Sequence, residues 1–149
     1  MNDPEKTKNS KIIFARDEKE IERFIDAFAE VCRGLVYISE TDADLKPLFA
    51  DEPRSRTLRS YLEVLGIDEK KVEEISFDKF FARLTTEKDW HRAPDKKRTR
   101  RFSKLKAFLE ENLEDLRVIR VGRIRIDIYI VGVGPDGQLA GVRTNAIET

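Results

Sequence analysis

Arg117-Val-Ile-Arg-Val-Gly-Arg-Ile-Arg-Ile-Asp-Ile-Tyr-Ile-Val-Gly-Val-Gly-Pro-Asp-Gly-Gln-Leu-Ala-Gly-Val-Arg-Thr-Asn-Ala-Ile-Glu-Thr149 is the stretch that decides the fold. Within it Ile124, Ile126, Ile128 and Ile130 alternate with Arg123, Arg125, Asp127 and Tyr129. That period of two is the mark of a strand with one buried face. Gly122-Arg123 fits a two-residue II′ turn into this strand, because glycine accepts positive φ at the first central position. Pro135-Asp136-Gly137 supplies a second turn, and Gln138 to Thr144 reads as the returning strand. The expected product is a three-stranded antiparallel meander, with the last few residues running out as a free tail. Such a tail, leaving a rigid sheet, is a preorganised probe for another molecule's pocket.

Outward from the meander the pattern turns helical. Ile21, Phe24, Ile25, Phe28, Val31 and Cys32 recur at the spacing of an amphipathic helix, which Asp17 and Glu20 would open as a capping box and Gly34 would close. Leu35 to Ile38 looks extended, and Ser39-Glu40-Thr41-Asp42 reads as a polar corner. A further strand is expected over Leu45 to Ala50, broken at Pro47. Leu58, Tyr61, Leu62 and Leu65 mark a second helix ending at Gly66. Val72 to Phe77 fits neither period, and Asp78 to Leu84 reads as one or two helical turns. Thr86 is expected to cap the next segment, and a long helix runs from about Pro94 to Leu113 with Phe102, Leu105, Phe108, Leu109 and Leu113 inward. Helices combined with strands clustered late in the chain give an α+β fold, helices packed on a mainly antiparallel sheet. Residues 1–16 are expected to be a flexible extension containing the apolar fragment Lys11 to Ala15. Residues 17–149 are expected to form a single domain.

Composition narrows the function. The chain has 149 residues, enough for a normal core, and its 39% charged fraction is balanced at 29 basic against 29 acidic residues. No whole-molecule charge therefore points to nucleic acid or to a membrane. The one cysteine, Cys32, lies on a helical apolar face and has no intrachain partner for a disulfide, which favours a reducing compartment. No apolar run is long enough to span a bilayer and the start has no secretory pattern, so a cytoplasmic location is expected.

Catalytic chemistry finds little support. His91 is the one histidine, and in its polar stretch it reads as a solvent-facing loop residue with no triad partners fixed around it. One Cys and one His do not make a zinc site, and no metal or catalytic residue is assigned. Gly132, Gly134 and Gly137 surround a hairpin turn and open no helix, so they fail as a phosphate loop. The sharpest charge feature is Lys96 to Lys106, with seven basic residues among eleven. On a helix Lys97, Arg101 and Lys104 share a face that would track phosphates electrostatically. Against that, no stacking aromatics interleave with the run, and a solvated face paired with neighbouring Glu and Asp is the better reading. Trp90 reads as a half-buried loop anchor or, if exposed, as a contact residue of an interface.

Several segments, in order, resemble the nuclease A inhibitor family. They are Gly34-Leu-Val-Tyr-Ile-Ser-Glu40, Phe77-Asp-Lys-Phe-Phe-Ala-Arg-Leu-Thr-Thr-Glu-Lys-Asp-Trp90, Phe102-Ser-Lys-Leu105 with Asn112-Leu113, Arg120 to Gly132, Gly137 to Thr144, and Ile147-Glu-Thr149. The resemblance covers the chain from about Ala27 onward. It implies an α/β/α sandwich, no enzymatic activity, and a role as a protein inhibitor of a sugar-non-specific, divalent-metal-dependent endonuclease of the ββα-metal type. It further implies that Thr149 reaches toward the nuclease's metal through metal-bound water, that Glu40 engages basic residues of the nuclease, and that Trp90 adds contacts. Glu148 and Lys88 complete the implied contact set, although Lys88 stands where the family pattern has a neutral amide. No cofactor is expected, because the divalent metal belongs to the partner. The alternatives are nucleic-acid binding through Lys97, Arg101 and Lys104, or an interaction module on the same scaffold that no longer inhibits.

Overall fold

A computed structural model describes residues 18–68 and 71–149. The extension at 1–16, its fragment Lys11 to Ala15 and the Asp17 cap lie outside the described residues. In chain order the elements are α1 (Glu18–Cys32), β1 (Val36–Ile38), β2 (Asp42–Asp44), β3 (Lys46–Ala50), α2 (Leu58–Leu65), β4 (Val72–Ile75), α3 (Phe77–Thr85), α4 (Ala93–Asn112), β5 (Glu114–Gly122), β6 (Arg125–Val133) and β7 (Leu139–Ile147). Strands β5, β6 and β7 form the expected meander at the centre of a five-stranded sheet of order β3-β7-β6-β5-β4. Every pairing in it is antiparallel. A separate two-stranded hairpin joins β1 to β2.

Alternation along β6 separates two apolar layers. Ile126, Ile128 and Ile130 face one core with Phe24, Phe28, Phe81, Phe102, Leu105 and Leu109 from α1, α3 and α4. Val131 and Val133 share the other core with Ile119, Leu139 and Tyr61, the last from α2. The sheet is thus sandwiched between helices. Ile128 is fully buried, and truncating such a side chain to alanine costs about 2–5 kcal/mol. On the α2 side the Tyr61 hydroxyl donates to the Asp115 carbonyl at 2.7 Å. Asp115 has a positive φ of 51° and sits in the bulge at the start of β5.

Two local expectations are corrected and one open segment is assigned. Pro47 does not break β3, because β3 is an edge strand where a missing N–H is tolerated. The segment 72–77, which fits neither period, is also partly an edge strand: β4 leaves Glu73 and Glu74 exposed. Thr86 does not cap α4; it ends α3, and its hydroxyl donates to the Ala82 carbonyl at 2.6 Å. The α4 start is instead secured by Asp95, whose carboxylate accepts the Arg92 amide at 3.0 Å.

The turn between β5 and β6 is wider than two residues. Gly122 pairs with Ile126, so Arg123, Ile124 and Arg125 form the hairpin tip. Gly122 holds φ at 115°, and a Cβ there would meet the Arg125 carbonyl oxygen at 2.1 Å. Ile124 consequently lies at the tip, 57% exposed, and not on the buried face. Period-two alternation carries no information about burial once the strand has turned.

Candidate functional site

The polar corner between β1 and β2 is closed by its own hydroxyl. Ser39 Oγ donates to the Thr41 carbonyl at 3.1 Å and accepts the Thr41 amide at 3.3 Å. The same oxygen accepts the Ile147 amide at 3.0 Å, while the Glu40 amide donates to the Ile147 carbonyl at 3.3 Å. The corner is therefore stitched to the end of β7. Deeper in the molecule, buried Thr144 donates its hydroxyl to the Ala43 carbonyl at 3.4 Å.

Beyond β7 the chain is not a free tail. Glu148 donates its amide to the Ile124 carbonyl at 2.9 Å, which extends the ladder onto the hairpin tip. Its carboxylate meets the Arg120 guanidinium at 2.5 Å. Thr149 donates its amide to Glu40 Oε2 at 2.7 Å, and its hydroxyl lies 2.9 and 3.0 Å from the two Glu40 oxygens. Two residues far apart in sequence thus share one exposed feature. A hydroxyl has one proton and two acceptor lone pairs. With the proton directed at Glu40, the lone pairs of Thr149 remain for an incoming electrophile, and donation to an anion makes the oxygen more negative.

Trp90 lies on the loop after α3 and is 73% exposed. It is a surface residue rather than a half-buried anchor. His91 is half-buried and shapes that loop: its Nδ1 accepts the Lys88 amide at 3.0 Å, and its own amide donates to the Lys88 carbonyl at 3.0 Å. The imidazole also meets the Trp90 ring edge to face at 4.4 Å. Sequence reading placed His91 in open solvent, whereas here it closes the turn that presents the indole. Three residues before the loop, Arg83 on α3 donates to the Tyr37 hydroxyl of β1 at 2.8 Å, which ties this region to the strand leading into the corner.

The basic run on α4 is dispersed among internal partners. Arg101 donates to the carbonyls of Val31 and Arg33 at 3.4 and 2.6 Å. It thereby satisfies the end of α1, where the helix dipole favours a cation. Arg98 pairs with Asp95 at 3.3 Å, Arg100 with Glu87 at 3.7 Å, and Lys106 with Glu110 at 3.2 Å. Lys97, Arg101 and Lys104 therefore do not act as one phosphate-tracking face: Arg101 is tied to α1, and Lys97 and Lys104 are exposed. Near Arg101, burial pushes the Cys32 thiol up to about 11 despite the lowering effect of that charge. A thiol so placed is protonated at neutral pH and chemically quiet.

Sequence reading missed three members of the corner and tail cluster, namely Ser39, Arg120 and Ile124. Only the hydroxyl at Ser39, within a recognised polar corner, gave a signal; the other two require the register of the hairpin. Among the described residues no group of three His, Cys, Asp or Glu is placed to hold a metal ion. No helix of the described residues is long and apolar enough to cross a membrane.

A family model described as nuclease A inhibitor-like protein matches residues 22–149. No curated protein matches the chain.

Proposed function

The chain belongs to the nuclease A inhibitor-like family, and on that premise we propose that it blocks a sugar-non-specific, divalent-metal-dependent endonuclease of the ββα-metal type. The inhibitor occupies the nuclease's active site with Thr149 and Glu40, and binds it stoichiometrically without turnover. Membership of an inhibitor family supports a binding protein rather than an enzyme. The observation that carries the reading is the direct hydrogen bonding of Thr149 to Glu40 on the exposed surface.

The physics of the partner makes the pair intelligible. A nuclease cleft holds a phosphate between a divalent cation and Arg or Lys side chains. Thr149 offers a hydroxyl oxygen toward that cation or its bound water, and Glu40 offers a carboxylate toward the basic side chains. Their mutual hydrogen bonds fix the spacing of the two oxygen groups before binding. Preorganisation of this kind avoids an ordering cost of about 0.5–1.5 kcal/mol per side chain. Trp90 and Lys88 on the α3–α4 loop extend the contact, with the exposed indole as the anchor of largest area. The cation is the nuclease's own, so the inhibitor needs no cofactor.

Titrating the full chain into a ββα-metal nuclease during DNA hydrolysis tests the proposal. The expected result is a linear loss of activity reaching zero near one equivalent, with DNA itself unbound by the inhibitor. Undiminished hydrolysis at a large excess over a panel of such nucleases would contradict it.

A further inference from the structure

We infer that Arg120 is a positioning residue that sets the reach of Thr149 by clamping Glu148 against the sheet. The inference rests on the inhibitor reading above for its functional consequence, but the clamp itself is a property of the free protein. Arg120 lies on β5 in register with Ile128 of β6 and Glu73 of β4. Its side chain is only 15% exposed, and its guanidinium stands between Glu148 at 2.5 Å and Glu73 at 3.7 Å. The Nε is sealed from solvent and, among the described residues, has no hydrogen-bond partner.

A shielded cation of this kind needs carboxylates nearby, because removing one leaves a poorly solvated charge. On its Arg120 side the short contact with Glu148 is shielded from water, whereas both partners of the bonds between Thr149 and Glu40 are exposed. Glu148 is also the residue whose amide docks on Ile124. Holding its side chain to β5 and its backbone to the hairpin tip leaves Thr149 one peptide unit beyond a fixed point. The next residue is thereby delivered to Glu40. In this arrangement the Glu148 carboxylate is engaged by Arg120 at the surface, and its part in inhibition is exerted through the geometry of Thr149.

The test uses the full chain carrying Arg120→Gln, Glu148→Gln, or both. Backbone 15N relaxation of residues 147–149 reports the clamp without any partner, and inhibition of a ββα-metal nuclease reports its consequence. In the wild type the Glu148 and Thr149 amides should be ordered like the sheet, with order parameters of about 0.85; either variant should drop them below about 0.6 while Ile147 stays rigid. Inhibition should weaken on the order of tenfold in each single variant, because freed residues must be ordered on binding. The double variant should be no worse than the singles, as expected of residues acting as one unit. Unchanged order at Thr149 in Arg120→Gln, or losses that multiply in the double variant, would overturn the inference. Should Arg120→Gln unfold, Glu148→Gln at the exposed end decides by the same two readouts. If the wild type inhibits no nuclease while the variants still release the tail, the inhibitor reading fails and the clamp stands.

Discussion

Thr149 and Arg101 both form hydrogen bonds to residues far away in sequence, yet the two regions they organise are built to opposite ends. Thr149 directs its amide and hydroxyl at Glu40, and both partners remain on the surface. Arg101 directs its guanidinium Nη2 at the carbonyls closing α1, which commits that group to an internal partner. The first arrangement gathers oxygen groups at one exposed point. The second scatters positive charge among caps and ion pairs. Charge density along a sequence therefore says less about a binding surface than where the charges are held and what already satisfies them.

Substitutions sharpen the contrast. The largest effect is expected from Glu40→Lys, which removes the acceptor of Thr149 and places a cation against the nuclease's basic residues. Inhibition should fall about 100-fold, some 2.7 kcal/mol and within the range of about 2–5 kcal/mol typical of a broken buried charge pair at an interface, with the melting temperature unchanged. Trp90→Ala comes next: loss of an exposed aromatic anchor should cost about 2 kcal/mol of binding in calorimetric titration and nothing in stability. Arg101→Met should reverse that pattern. It leaves helix-end carbonyls unsatisfied and should lower the unfolding free energy in urea by about 1–2 kcal/mol, with inhibition unaltered. The smallest effect belongs to the double reversal Lys97→Glu with Lys104→Glu, for which inhibition should stay within about twofold, as usual for exposed charges. If those reversals instead abolish a salt-sensitive affinity for DNA, the basic helix is a working surface and the contrast collapses.

The fold was largely legible because its central signals are local. The isoleucine alternation of β6 and the 3.6-residue stripes of α1 and α4 each report one buried face. Edge elements were harder: β3 contains Pro47, and β4 exposes Glu73 and Glu74, so neither has the neighbours that would impose a clean pattern. Roles for the candidate site residues came only through family resemblance. The residues themselves marked no more than a polar corner at Ser39 to Asp42 and a tail after the meander, and the meeting of Glu40 with Thr149 depends on β7 ending beside the β1–β2 corner. Arg120 was invisible for the same reason, because its role exists only once β4, β5 and the residues after β7 are placed side by side. Ile124 was misplaced because a hairpin tip interrupts the register on which its burial was inferred.

The most direct test of the central claim is the dissociation constant for a ββα-metal nuclease measured with the full chain and with Thr149 deleted, each at matched fold and stability. Loss of at least about 100-fold in affinity, some 2.7 kcal/mol, with an unchanged melting temperature is the predicted result. Equal affinity of the two proteins would contradict the account, because inhibition would then owe nothing to the oxygen groups that Glu40 and Thr149 bring together.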